Sequence, residues 1–380
     1  RLETEAADGL VNLAALVQHE RPDEAAALIE KAIRLAEQRS ARRTLARARL
    51  QLANVRHVQN RNEESLPLVE SELPFLRTNR YRRFELQGLS IKTRVLQSLD
   101  RLDEASGFAK EVLSLAEAVN DEAQMALAQS NLASVLTALG HYPEALRHRQ
   151  RVEEIRTRQG DREALPYDMS GRADVLIRLG RFEEADRLLY ELERAVEEGT
   201  PSYLPVSARV AFLRAQYLAT LLQCHRVGAL LERVRSDKRA TGSAPLVAPA
   251  IGSFCDARMK RPSQAVDNRP FRDVDPTFLR ERQYWRGAAA LERGDAAAAL
   301  HEVKEGLALL GAVSNEELRW RLAAVGAVAS AASGDDKLAA EMLSSARAAL
   351  NSVKSAWGQE FGPYDQRPDL LYLKKRSGLT

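Results

Sequence analysis

The chain has 380 residues with 56 Lys+Arg against 53 Asp+Glu, a formal charge of +3, and this balance is too even for a dedicated nucleic-acid or membrane-surface binder. Hydrophobic residues make up 45% and charged residues 29%, which excludes a disordered chain. Aromatics are only 6%, so a core must come from Ala, Leu and Val, and a chain rich in Ala, Leu, Arg and Glu is helical rather than α/β.

From the N-terminus, an acidic pair followed by a small residue returns at a fixed step. Arg21-Pro22-Asp23-Glu24-Ala25 is followed by Arg61-Asn62-Glu63-Glu64-Ser65, Arg101-Leu102-Asp103-Glu104-Ala105, His141-Tyr142-Pro143-Glu144-Ala145 and Arg181-Phe182-Glu183-Glu184-Ala185. The anchors at 25, 65, 105, 145 and 185 are 40 apart, and Ala299 and Ala339 repeat that step. Five residues before each anchor stand Glu20, Asn60, Asp100, Gly140, Gly180, Gly294 and Gly334. All but Glu20 are residue types that tolerate a left-handed backbone after a helix. The acids that follow suit the positive end of the next helix dipole. Twelve residues before the anchors come Ala53, Thr93, Ala133, Ala173, Gly287 and Ala327, small residues that let two helices approach closely. Each anchor therefore marks a helix–turn–helix.

One unit carries a family resemblance. Asn131-Leu132-Ala133-Ser134-Val135-Leu136-Thr137-Ala138-Leu139-Gly140-His141-Tyr142-Pro143-Glu144-Ala145-Leu146 resembles a tetratricopeptide repeat. It has the Leu-small pair, the Gly at the turn, an aromatic, and Glu-Ala-Leu opening the second helix. The family unit is about 34 residues, so a step of 40 matches its extended variants; a HEAT-type solenoid also has units of about 40 or more, but the Gly/Asn/Asp turn with a small residue on each side favours the tetratricopeptide reading. The resemblance is strongest over residues 10–192 and covers most of 1–350. It implies an all-α, right-handed superhelical solenoid of eight or nine repeats.

Between residues 199 and 276 the register blurs, and seven of the fourteen prolines fall there. Degenerate repeats are read around Gln223-Cys224-His225-Arg226-Val227 and Arg261-Pro262-Ser263-Gln264-Ala265, with a loop over 240–245. The chain accordingly divides into an N-terminal block of five repeats, 1–198, a Pro-rich zone, 199–276, read as a joint or as decayed repeats, a C-terminal block of two, 277–350, and a tail, 351–380. Trp357, Phe361, Tyr364 and the leucines of the tail suit a cap over the last hydrophobic face. The tail is also similar to the endings of bacterial regulatory proteins that place such arrays behind a signalling domain, serine/threonine kinases among them.

Catalytic, phosphate-binding and metal-binding motifs are absent, so no enzyme activity, cofactor or metal is expected of this chain. His141 and His148 share a helical face, but His141 fills a turn slot that is Arg in four other repeats. Cys224 and Cys255 read as two half-buried helical cysteines in a reducing compartment, and no apolar run approaches the ~20 residues of a membrane span. A cytoplasmic location follows. Opening on Arg1 inside an amphipathic pattern, the sequence reads as a piece of a longer protein.

What remains is a binding surface. In the tetratricopeptide family the first helix of each unit lines a concave groove, and transferring its positions gives the row Asn54, Arg94, Ser134 and Asp174. Neighbouring groove positions hold Arg47, Gln51, Ser90, Gln97, Ser130 and Asn131. Long and amide side chains of this kind can bond an extended peptide or a carboxylate. A chaperone-tail clamp is not supported, because Gln51 and Ile91 interrupt the Asn slot held by Asn12 and Asn131. Arginines at 42, 43, 47 and 49 and at 77, 80, 82 and 83, with Tyr81 and Phe84 nearby, raise nucleic-acid binding, which the even charge balance sets below a salt-bridged surface. The expected function is a protein–protein interaction scaffold, the regulatory region of a larger bacterial signalling protein. The alternative is an effector receptor controlling an attached output domain.

Overall fold

The computed structural model describes residues 2–237, 243–262 and 276–379. Helices follow one another without a strand among these residues: α1 (Leu2–Val17), α2 (Pro22–Gln38), α3 (Arg42–Val58), α4 (Asn62–Thr78), α5 (Arg82–Ser98), α6 (Leu102–Ala118), α7 (Glu122–Ala138), α8 (Tyr142–Gln159), α9 (Leu165–Leu179) and α10 (Phe182–Glu197). Then come α11 (Ser207–Thr220), α12 (Gly228–Ser236), α13 (Ser243–Arg258), α14 (Pro276–Glu292), α15 (Ala296–Leu310), α16 (Glu316–Ala332), α17 (Asp336–Trp357), α18 (Phe361–Asp365) and α19 (Pro368–Ser377). The all-α repeat architecture expected from the sequence is what the chain adopts.

The forty-residue step is two steps of twenty. Each of α2 to α7 has 17 residues and is followed by a three-residue connection. Left-handed residues stand at Asn60, Asp100, Gly140 and Gly180, as expected, and also at Ser40, Arg80, Asn120 and Gly160 between them. At each the following N–H reaches back five residues to a carbonyl, as in Ala41 to Ala36 at 2.8 Å and Arg61 to Arg56 at 2.8 Å, which closes the helix end. The degenerate repeats use the same device at Leu222 and Lys260, where the sequence has lost its turn residue. An L-residue with a branched or long side chain costs about 1–2 kcal/mol in this conformation, so packing must hold it there. Anchor Ala265 lies outside the described residues, as do 240–242 of the expected loop. The rest of that loop, residues 243–245, is instead the first turn of α13, where a proline is tolerated.

The small-residue pairs meet as their spacing requires. Ser65 and Ala53 are fully buried, and the Ser65 hydroxyl donates to the Ala53 carbonyl at 2.7 Å. A methyl group on Gly287 would sit 3.7 Å from the carbonyl of anchor Ala299. Contacts group the chain into two compact units, one running to Val135 and the other beginning at Leu136. The expected blocks 1–198, 199–276, 277–350 and 351–380 are divisions of pattern; among the described residues the contact grouping cuts once, within α7. In the first unit α1, α3 and α5 pack on one another as an inner row, each flanked by the intervening helices. In the second the inner row runs α9, α11, α13, α14 and α16, so it continues through the Pro-rich zone.

Two features of the second unit go beyond the pattern. Cys224 and Cys255 are joined in a disulfide, with Cα atoms 4.9 Å apart, and both are buried. This corrects the expectation of two separate half-buried cysteines. The turn at Leu222 carries Cys224 onto α13, a pairing across 31 residues that spacing does not announce. The second feature is the tail, which buries Trp357, Tyr364, Leu370 and Leu373 and packs against α9, α11 and α16.

That tail completes a buried polar network around Glu317 on α16. The hydroxyls of Tyr142 and Tyr364 donate to its carboxylate at 3.0 and 2.9 Å, Arg321 donates at 2.9 Å, and Trp320 donates to Tyr364 at 2.6 Å. Arg321 and Arg178 also reach Glu281, at 3.3 and 3.4 Å. Burial pushes Glu281 upward, but Arg321 and Arg178 outweigh it and hold the carboxyl at about 2. Asn315, the N-cap of α16, donates to the Ala138 carbonyl at 2.9 Å beside Gly140. The start of α16 thus meets the turn that precedes α8.

Two outcomes follow. Gly180 and Gly199 share a left-handed backbone, but a methyl on Gly180 would clash with the Pro363 carbonyl and sit 2.9 Å from Arg367 Cγ, whereas nothing lies within 4 Å of Gly199. Urea unfolding should show Gly199→Ala losing about 1 kcal/mol and Gly180→Ala losing more than about 3 kcal/mol. For pH, a carboxyl depressed on folding supplies stability above its unfolded value and loses it as pH falls through its folded one. The second unit, which holds all three tryptophans, should lose on the order of 3 kcal/mol between its unfolded value of 4.5 and about pH 2, read by tryptophan fluorescence.

Candidate functional site: a cleft on the inner helices of the first unit

A cleft of about 890 Å³ opens on the first unit, walled by α1, α3 and α5. These are successive inner helices, which is why their side chains converge on one surface. Asp8 and Val11 come from α1, Arg43, Arg47 and Gln51 from α3, and Arg83, Phe84 and Gln87 from α5, with Tyr81 just before it. On α3 the residues Arg47, Gln51 and Asn54 follow at spacings of four and three, one face of a helix. On α5 Gln87, Ser90 and Arg94 do the same.

The polar groups on these faces are largely bonded to each other. Arg47 pairs with Asp8 at 2.6 Å and donates to Asn12. Gln51 and Asn54 both donate to the Gln18 amide oxygen, at 2.8 and 2.7 Å, and Arg94 donates to Asn54 at 2.6 Å. Arg94 and Asn54, exactly one repeat apart in sequence, are therefore neighbours in space. Arg94 Nε and the Ser90 hydroxyl are buried and have no partner among the described residues. Burial lowers the Arg94 pKa. Its charge reaches His57, whose pKa is lowered first by burial and then by Arg94, against a 2.8 Å hydrogen bond with Asn62.

The remaining groove candidates stand apart from this series. Gln97 is half-buried at the end of α5, and Ser130, Asn131 and Ser134 are half-buried on α7, where Ser134 donates to the Ser130 carbonyl at 3.0 Å. Asp174 belongs to the second unit and is held by Arg178 at 2.9 Å. Sequence reasoning missed Asp8, on α1, and Gln18, just past its end; both precede the first clear repeat and carry no signal of their own.

The arginine cluster around the cleft is mostly paired. Arg42 and Arg49 share the buried Glu72, Arg82 pairs with Glu85 at 2.8 Å, and Arg77 with Glu85 and Glu111. Arg43 lies over the rings of Tyr81 and Phe84, at 5.4 and 5.5 Å. Arg83 is exposed and has no ion-pair partner among the described residues. Among those residues no group of three or more His, Cys, Asp or Glu is placed to hold a metal ion. None of the helices is long and apolar enough to cross a membrane.

Fold and cleft together define an all-α helical-repeat protein whose first unit opens a cleft on its inner helices. Residues 124–198 match the family model of the tetratricopeptide repeat, so this stretch carries that repeat and the chain has the corresponding fold. A signal-transduction ATPase with numerous domains from Pyrococcus horikoshii, which has a tetratricopeptide repeat sensor, aligns with a TM-score of 0.51 and 16% identity over 98% of this chain and 50% of that one. The chain thus spans about half the length of that protein. A Rap protein solved in complex with Competence and Sporulation Factor aligns with a TM-score of 0.50 and 14% identity over 99% of each chain. None of the curated proteins matches the sequence.

The link between Arg94 and His57 can be checked directly. Arg94→Gln removes the charge that disfavours the imidazolium, so an NMR titration should show the His57 pKa rising toward 6.5.

Proposed function

We propose that the chain is a protein-interaction scaffold that binds a peptide segment of a partner in the cleft walled by α1, α3 and α5, with no catalytic activity of its own. The observation that carries this reading is the cleft itself: three inner helices present amide and guanidinium groups together with the apolar surface of Ala15 and Phe84. An extended peptide can gain apolar burial there and find donors for its carbonyls. The setting we propose is the regulatory region of a larger bacterial signalling protein.

A second reading makes the array a receptor that controls an attached output domain. The repeat sensor of the Pyrococcus horikoshii ATPase, and the Rap protein holding its factor, favour it as analogies of fold.

A random peptide library selected on the immobilised chain tests the cleft. Gln87→Trp, which fills the cleft from α5, should abolish binding of the selected peptides, while circular dichroism confirms retained helix. Peptides that bind this variant unchanged would place the interaction elsewhere.

A further inference from the structure

Resting on the cleft reading above, we infer that the partner segment is acidic, with its carboxylates received by Arg43 and Arg83 at the rim and by Arg94 with Ser90 further along the inner face. Five arginines, at 42, 43, 47, 82 and 83, line the cleft against one carboxylate, Asp8. Three of the five are ion-paired: Arg42 with Glu72, Arg47 with Asp8 and Arg82 with Glu85. Arg43 and Arg83 have no ion-pair partner among the described residues, so unpaired positive charge gathers at one opening. A cleft with cations of one sign on low-dielectric walls focuses its field on an incoming anion.

The inner face supplies the second observation. Gln87, Ser90 and Arg94 lie along one face of α5, so the surface that begins in the cleft at Gln87 continues to Arg94. Arg94 Nε and the Ser90 hydroxyl, one helical turn apart, are buried donors without a partner among the described residues. The one hydrogen bond described for the Arg94 guanidinium goes to the neutral Asn54 amide, with no carboxylate to balance it. A buried guanidinium without a counter-charge is costly, and an incoming carboxylate relieves that cost through charge-assisted hydrogen bonds. Glutamate or aspartate side chains, or a C-terminal carboxylate, carry the same group.

The aromatic residues favour a peptide over a nucleic acid. Tyr81 and Phe84 each have a ring face covered by the Arg43 guanidinium, so those faces do not offer a platform for stacked bases. A carboxylate, in contrast, can bridge to Arg43 while its own aliphatic stem packs on the rings.

Fluorescence anisotropy on the full chain decides the matter with three labelled probes: a short peptide of alternating Glu and Leu, its Gln-for-Glu counterpart, and single-stranded oligo(dT). The Glu peptide should bind at least about tenfold more tightly than the Gln peptide, and Arg43→Glu with Arg83→Glu should remove that advantage. Arg43→Lys with Arg83→Lys should keep most of it, and Arg94→Gln should weaken the Glu peptide by about tenfold. Equal binding of both peptides, with Gln87→Trp abolishing both, would overturn the acidic specificity and leave the cleft reading standing. Tighter binding of oligo(dT), lost in the charge-reversed variant, would identify a nucleic-acid surface and overturn the inference. Binding of no peptide, or peptide binding unaffected by Gln87→Trp, would remove the cleft reading as well.

Discussion

A left-handed residue every twenty positions governs this structure. At Ser40, Asn60, Arg80, Asp100, Asn120, Gly140, Gly160 and Gly180 the backbone leaves the helix with positive φ, and the next N–H closes on a carbonyl five residues back. That geometry fixes helix length in the regular stretch and brings each helix back against its predecessor. Small anchors can then be buried without aromatic filler. Where the turn falls on Leu222 or Lys260, it is the tertiary packing that holds an unfavourable backbone in place, because the local sequence has no preference for it.

Regular stepping also determines where polar groups accumulate. On the inner row of the first unit, residues separated by one repeat face each other, and this is why Asn54 and Arg94 share a hydrogen bond. Most of the row satisfies itself, which rigidifies the wall and leaves a few groups, Arg43, Arg83 and Arg94 among them, with capacity for a ligand. The second unit uses inner-face polarity differently. There Glu317 collects Tyr142, Tyr364 and Arg321, and the chain's own tail contributes one of those donors. A buried cluster of this kind tolerates the loss of no single member, since each leaves another charge or hydroxyl unpaired.

Much of the fold was written in short-range chemistry. The anchors, the Gly, Asn and Asp turns at the forty-residue step and the small residues twelve before the anchors are local requirements, and a local requirement leaves a periodic trace. The alternate turns at Ser40 and Arg80 left none, because Ser and Arg do not favour a left-handed backbone. On the inner face of the first unit, register placed Arg47, Gln51, Asn54 and Arg94 on facing helices. Asp8 and Gln18 were not so placed, because their role exists only once α1 has packed on α3.

The sequence by itself determined an all-α solenoid, its step and the identity of its inner helices, since those follow from spacing and from the backbone freedom of single residues. Only the tertiary structure decided which polar groups pair and which are left open, that Cys224 meets Cys255, and that the tail packs on α9, α11 and α16. These are contacts between residues tens to hundreds of positions apart, such as Tyr142 with Glu317. Their geometry comes from the accumulated packing of many helices, and no short stretch of sequence contains it.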